Sequence, residues 1–294
     1  MTSPVPTLCS SPTLRITPRR TDSASLISTT LRPRGPGRCY ASFTEEHGAA
    51  KTRLVRALRI RLHTSSDISD TQLDHSLLAR SLLAATSFPV AVPNYRLSHD
   101  KNGVVHPAHA QDILECLEFI ASNHAGLPPV FDPGRIFLIG HSCSAHIIAS
   151  ILLDSSTTFP SLTPSSVLLN AVQGVILSEG IYDIDLLLND FPDYRSWFIA
   201  DAFGDMPSYA PSNVATFPLR TRGNIPWLII QSKGDTLINI AQSRAMLAHL
   251  KLQYDDGSEC VQESLHDLDD EHDSVLLSPI YQRIVTDFIK DHSV

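Results

Sequence analysis

The feature that most constrains this chain is an apolar strand that turns sharply into a small-residue helix, with a serine at the turn. The run is Phe137-Leu-Ile-Gly-His-Ser-Cys-Ser-Ala-His146. A serine on such a turn exposes its oxygen, and small neighbours let the strand and helix backbones approach each other. In the G-x-S-x-G pattern of this turn, Gly140 is present but Ser144 replaces the last glycine. Because a bare G-x-S also occurs at ordinary strand ends and helix caps, Ser142 needs support from the rest of the chain.

Two later segments provide an acid and a histidine. The apolar run 226–232 predicts a strand, and the turn directly after it presents Asp235. His272 lies in an acidic loop before a closing helical pattern, and His266 is the competing base six residues earlier. The order serine, acid, histidine is that of the α/β-hydrolases and differs from the orders of two serine protease classes. We therefore expect a catalytic triad of Ser142, Asp235 and His272.

Strand and helix patterns alternate through the rest of the chain. They predict strands at about 90–94, 135–140, 173–178, 227–232 and 260–264, and helices at about 107–123, 144–154, 240–252 and 278–291. This rhythm predicts an α/β fold of the α/β-hydrolase type, with a mostly parallel sheet flanked by helices. We expect the domain to span residues 64–294, with a cap-like insertion near 183–222 that shapes the pocket.

Several blocks of sequence match a known family. The blocks at 92–98 and 106–112 look like those of the wider lipase and esterase branch, and a further block at 139–143 contains Ser142. The block Glu179-Gly-Ile-Tyr-Asp183, followed by a tyrosine and Ala202-Phe-Gly204, is more specific. On these blocks the chain resembles the kynurenine formamidases, in particular the fungal ones, in the hormone-sensitive-lipase-like branch of the α/β-hydrolases. The resemblance implies hydrolysis of N-formyl-L-kynurenine to L-kynurenine and formate, in the kynurenine pathway of tryptophan catabolism that leads to NAD biosynthesis.

The oxyanion hole is where the chain departs from that family. The backbone N–H of Cys143 is expected to supply one donor, since the residue after the nucleophile does so in this fold. Family members carry a second donor in a His-Gly-Gly-x-Trp loop, which this chain lacks. We interpret the only echo, His47-Gly-Ala-Ala50, as a chance match. A general carboxylesterase and a catalytically impaired relative without this loop are therefore the alternative functions.

Residues 1–63 differ in composition from the rest of the chain. They hold ten Arg and one Lys against three acids, a net charge of +8, so residues 64–294 carry −16 because the whole chain carries −8. A start rich in Arg and Ser and poor in acids resembles a mitochondrial transit peptide, and a disordered tail is an alternative. We favour a segment that is not homologous to the family, because the core pattern begins abruptly near Leu73. N-terminal strands are then expected to be missing.

Composition also limits the partners and cofactors. No apolar stretch reaches the roughly 18 residues of a membrane span, and the acidic body argues against nucleic-acid binding. His106 and His109 have the spacing of a ligand pair, but Pro107 marks a helix start and no other ligand cluster joins them, so we expect no metal and no cofactor. Five cysteines without paired spacing are typical of reduced thiols. We expect a small-molecule substrate, a cytoplasmic location with the mitochondrion as alternative, and a chain that could form a homodimer.

Overall fold

A single sheet of eight strands organises the residues described by the computed structural model, which are 27–29, 40–45, 56–60, 71–98, 103–122, 131–220, 225–254 and 259–293. The strands are β1 (Ile27–Thr29), β2 (Tyr40–Glu45), β3 (Arg56–Ile60), β4 (Val90–Asn94), β5 (Ile136–His141), β6 (Val172–Ser178), β7 (Trp227–Ile230) and β8 (Val261–Ser264). Their order across the sheet is β1-β2-β4-β3-β5-β6-β7-β8. Among these strands, β2 pairs antiparallel with β1 and β4, and the other five neighbouring pairs are parallel. The predicted α/β fold with a mostly parallel sheet is confirmed.

The start of the chain differs from expectation. The backbones of β1, β2 and β3 lie within residues 1–63 and pair into the sheet, so N-terminal strands are not missing. β3 was not predicted because two arginines interrupt the apolar residues of Arg56-Ala-Leu-Arg-Ile60, which leaves no continuous apolar run. The rest of 1–63 lies outside the described residues, and our division of the chain after residue 63 stays a prediction.

Helices cover both faces of the sheet. The helices are α1 (Thr71–Thr86), α2 (Ala108–Ala121), α3 (Cys143–Leu152), α4 (Ser166–Ala171), α5 (Ile184–Asp190), α6 (Ala200–Phe203), α7 (Ile240–Gln253) and α8 (Pro279–Asp291). The predicted helices near 107–123, 144–154, 240–252 and 278–291 correspond to α2, α3, α7 and α8. None of the described helices combines the length and apolar composition that crossing a membrane would require.

Strand β5 shows how the core is divided. Successive residues of a strand point to opposite faces of the sheet. Phe137 and Ile139 therefore enter a core with side chains of α1 and α8, while Ile136 and Leu138 enter a core with side chains of α2, α3, α4 and α7. Burial on both faces explains why β5 is a continuous apolar run rather than an alternating one. The end of β5, and with it Ser142, therefore lies in the middle of the sheet.

A third apolar cluster is formed mainly by the chain segment that connects β6 to β7. It is built by short helices, including α5, α6 and a π-helical turn at Arg195–Ile199. Ile184, Leu187 and Tyr209 form its buried centre, and Cys143 at the start of α3 packs against it. The segment predicted to be a cap therefore lies next to the serine turn.

Candidate active site

Ser142 occupies a strained turn between β5 and α3. Its backbone has φ of 56° and ψ of −128°, a region that residues other than glycine seldom adopt. The Ser142 N–H donates to the Ser178 carbonyl at 2.9 Å, which ties the turn to the end of β6. Such strain persists only where the surroundings impose it, and it is found at functional sites. The structure thus gives Ser142 the conformation of a nucleophile elbow.

Close contact between β5 and α3 explains the small residues of this turn. A Cβ at Gly140 would lie 2.8 Å from the Ser144 carbonyl oxygen and 2.9 Å from the Ala145 Cα, so only glycine fits there. Ser144 stands where the usual pattern has its second glycine. It is fully buried, and its hydroxyl has no hydrogen-bond partner among the described residues. The helix start therefore accepts one small side chain in place of that glycine.

Asp235 and His272 meet beyond the ends of β7 and β8. The Oδ2 atom of Asp235 lies 2.9 Å from Nδ1 of His272. Its Oδ1 atom accepts hydrogen bonds from the backbone N–H groups of Leu237 at 2.8 Å and Ile238 at 3.0 Å. Gln231 donates to Oδ2 as well, at 3.1 Å. These bonds fix the carboxylate, which in turn fixes the plane of the imidazole.

The loop that carries His272 is tied to the loop that carries Asp235. The Lys233 N–H donates to the Leu268 carbonyl at 2.9 Å, and the Ser232 hydroxyl donates to the Asp270 carbonyl at 2.5 Å. Lys233 adds an ion pair with Asp269 at 3.1 Å. The histidine is therefore positioned by the acid's own loop rather than by a separate element.

His272 also lies at the serine turn. Its ring centroid is 4.6 Å from that of His141, the residue directly before Ser142. With Nδ1 engaged by Asp235, Nε2 is the nitrogen left to receive a proton. His266, the competing base, is exposed, whereas His272 is only 7% exposed. The geometry favours His272 as the base.

Glu179 brings a second carboxylate to the same histidine. It directly follows β6, is fully buried, and has φ of 49°. Its Oε2 atom lies 3.2 Å from Nδ1 of His272 and 3.9 Å from Nε2 of His141. Its Oε1 atom accepts a hydrogen bond from the Ser232 N–H at 3.2 Å. Sequence analysis placed Glu179 in a family block but missed it as a site residue.

Comparison with known proteins places this geometry in a family. The BD-FAE family model matches residues 64–250. This chain belongs to the BD-FAE family. Curated relatives named kynurenine formamidase come from Meyerozyma guilliermondii (29% identical over 164 residues, 54% of this chain and 57% of the relative) and Debaryomyces hansenii (26% over 208 residues, 56% and 68%). The match thus spans little more than half the length of the first relative, and the resemblance found in the sequence blocks is confirmed.

A solved structure similar to this BD-FAE chain is an inhibited esterase B from Lactobacillus rhamnosis. It has a TM-score of 0.68 and 16% identity, and the match covers 91% of this chain and 86% of the esterase. At that identity the likeness shows the fold alone. The α/β-hydrolase fold expected from the order of Ser142, Asp235 and His272 is thereby confirmed.

Burial and charge shift the pKa values of the buried acid and base in the BD-FAE site. Burial raises the pKa of Glu179 from 4.5 to about 7, although its contact with His272 opposes this. Burial would lower the pKa of His272, but its contacts with Asp235 and Glu179 outweigh that effect and raise the pKa from 6.5 to about 9. Both acids therefore favour the charged form of the imidazole.

Side chains of this same cluster are also candidate metal ligands. Among the described residues, donor atoms of His141, Glu179 and His272 lie within 4.8 Å of one another and are all buried. Nδ1 of His272 is already engaged by Asp235 at 2.9 Å, so a metal bound through that nitrogen would have to replace the bond. Within this cluster the Glu179 carboxylate is at ion-pair distance from both histidines. His106 and His109, the pair considered from sequence, do not belong to this cluster. Nε2 of His109 lies 2.7 Å from the Ser98 hydroxyl.

The candidate oxyanion hole lies at the start of α3. Cys143 is the first residue of α3, where backbone N–H groups have no acceptor within the helix. In this fold the second donor comes from the loop after the third strand. Strand β3 runs parallel to β5 with Ile60 opposite Gly140, so the chain leaves β3 at the edge where Ser142 lies. Residues 61–70, and the echo at 47–50, lie outside the described residues.

Proposed function

We propose that this protein hydrolyses N-formyl-L-kynurenine to L-kynurenine and formate, with Ser142 as the nucleophile. The observation that carries the proposal is the contact between Asp235 and His272 beside the strained turn of Ser142. The name of the two fungal relatives supports this substrate. We predict that the substrate is a small molecule and that the protein has no nucleic-acid or membrane partner. Its cytoplasmic location also stays a prediction.

The chemistry would proceed in two halves. His272 takes the hydroxyl proton of Ser142 at Nε2 while the serine oxygen attacks the formyl carbon. Asp235 holds the imidazole in the required tautomer and stabilises its cation, and the Cys143 N–H faces the developing oxyanion. The C–N bond then breaks as His272 gives its proton to the aryl nitrogen. In the second half His272 deprotonates a water that attacks the formyl ester, releasing formate and restoring the serine hydroxyl.

The segment between β6 and β7 supports an aromatic substrate. Phe191 and Tyr194 stack with ring centroids 4.9 Å apart, and Trp197 contacts Tyr194 edge-on at 5.1 Å. The Tyr194 hydroxyl donates to the Leu237 carbonyl at 3.1 Å, two residues beyond Asp235. Trp197 is 54% exposed despite its size. An aromatic surface this close to the acid loop is suited to the aryl ring of formylkynurenine.

Kinetics on purified variants test the proposal. Ser142→Ala and His272→Ala should each remove turnover of N-formylkynurenine almost completely, and the double variant should be little worse because triad members act as a unit. His266→Ala changes an exposed histidine in the same loop and is the matched control, with turnover like the parent. Loss of activity in His266→Ala with retention in His272→Ala would show that the base is misassigned.

The acyl group separates the alternatives. A formamidase should cleave the formyl substrate faster than acetyl or butyryl esters of a comparable alcohol, because its pocket admits the smallest acyl group. Rates that rise with acyl length would indicate a general carboxylesterase instead. An absence of turnover on every substrate, with no labelling of Ser142 by a fluorophosphonate, would indicate the catalytically impaired relative.

A further inference from the structure

Two carboxylates reach one imidazole nitrogen in this site, and the proposed triad uses only one of them. Nδ1 of His272 lies 2.9 Å from Asp235 and 3.2 Å from Glu179. Both acids are buried, with 0% side-chain exposure. A charged group is kept out of water only where a partner compensates it. For Glu179, His272 is the compensating partner at ion-pair distance.

We propose that Glu179 is a second acid for His272, a positioning residue that shares the imidazolium with Asp235 and can replace it. The inference rests on the proposed serine mechanism, in which His272 becomes positively charged as Ser142 attacks. The imidazolium would then face two carboxylates rather than one. Loss of either acid should leave the other in place to hold Nδ1.

The backbone holds the two acids side by side. Strands β6 and β7 are parallel neighbours, so their carboxyl ends lie at the same edge of the sheet. The Glu179 N–H donates to the Ile230 carbonyl at 2.9 Å, and its side chain accepts from the Ser232 N–H. Both contacts are with the segment that leads to Asp235. A Cβ at Gly180 would lie 2.3 Å from the Tyr182 ring, so the turn after Glu179 is tightly closed.

Besides Asp235 and His272, one histidine and two tyrosines lie near Glu179 or the end of its strand. His141 on β5 lies 3.9 Å away and its Nδ1 meets the Ser178 hydroxyl at 3.1 Å. Tyr281 of α8 meets the same hydroxyl at 3.0 Å. Tyr182 is buried nearby, and burial raises its pKa further. Of the two histidines, His272 is the nearer to the Glu179 carboxylate, at 3.2 Å against 3.9 Å for His141.

The test is the pH dependence of Ser142 labelling by a fluorophosphonate, which reports the serine and its base without any assumed substrate. Glu179→Gln removes a negative charge beside the imidazolium, so the pKa of His272 should fall and the alkaline rise of the labelling rate should move about one pH unit or more to lower pH. The plateau rate should fall about tenfold. Glu263→Gln, on an exposed residue paired with Lys251 at 2.7 Å, is the matched control and should leave the profile unchanged.

Exchange of the acids provides the second arm. Replacing the triad Asp by Asn typically costs about 10⁴-fold. Here Asp235→Asn should cost about 10²-fold or less, and Asp235→Asn with Glu179→Gln should cost about 10⁴-fold. A Glu179→Gln profile that falls in amplitude without shifting, or an Asp235→Asn variant as inactive as the double variant, would overturn the inference. Strong labelling of Ser142 without cleavage of N-formylkynurenine would instead reject the proposed substrate. The pH profile of labelling would then still decide whether Glu179 acts as the second acid.

Discussion

Glu179→Gln should make the folded protein more resistant to alkaline pH, even though it weakens the site. Burial raises the pKa of Glu179 from 4.5 to about 7, so the folded state binds this proton more tightly than the unfolded chain. Stability from this group is then fully present below pH 4.5 and is lost as the pH rises through about 7. Since each pKa unit corresponds to about 1.4 kcal/mol, the loss is on the order of 3 kcal/mol.

His272 acts in the same direction at higher pH. Its pKa is raised from 6.5 to about 9, so its contribution is present below pH 6.5 and is lost as the pH rises through about 9. In Glu179→Gln the carboxyl titration is absent and the pKa of His272 is lower. The parent should therefore lose more stability than the variant as the pH rises. The difference in free energy of unfolding, variant minus parent, should increase by on the order of 3 kcal/mol from pH 5 to pH 8.

Urea unfolding at a series of pH values measures this difference. Fluorescence of the buried Trp227 reports the transition, and linear extrapolation gives the free energy of unfolding at each pH. Any constant effect of the amide cancels because only the change with pH is compared. Glu263→Gln controls for the loss of one surface charge. Parallel curves for the parent and Glu179→Gln from pH 5 to pH 8 would refute the assignment of a raised carboxyl pKa.

Two further predictions concern the serine turn. Gly140→Ala should lower the free energy of unfolding by about 1 to 3 kcal/mol and remove most activity, because the new Cβ would clash with the Ser144 carbonyl and Ala145 and displace α3 from the strand. Thermal melting and the labelling of Ser142 measure the two effects. A variant with the parent's melting temperature and labelling rate would contradict the prediction. Ser144→Ala should raise the free energy of unfolding by about 1 kcal/mol, because it removes a buried hydroxyl without a partner among the described residues. The control, Ser150→Ala, deletes a hydrogen bond to the His146 carbonyl at 2.8 Å and should not stabilise the protein. Equal effects of the two substitutions in urea unfolding would contradict the argument.

The sequence predicts strands β4 to β7 close to where they lie because they are apolar runs with buried residues on both faces. The pattern that predicts a strand at about 90–94 matches β4, Val90–Asn94, and the one at about 227–232 covers β7, Trp227–Ile230. Helix α1, Thr71–Thr86, was missed even though it lies next to the start of the recognised core. Strands near the start are shorter or carry charged residues, so no periodic signal separates them from a basic tail.

The two acids differ in how much the sequence reveals of them. Asp235 follows an apolar run by a short turn, and its place in the order of the triad makes it recognisable. Glu179 follows an equally apolar strand, and since β6 and β7 are neighbours, the sequence also places it at the same edge of the sheet. What the sequence does not show is the direction of its side chain. That direction depends on a φ of 49° and on the tight turn at Gly180, which the surrounding packing imposes. A glutamate after a buried strand would ordinarily be expected to face solvent, and here the backbone turns it inward to His272.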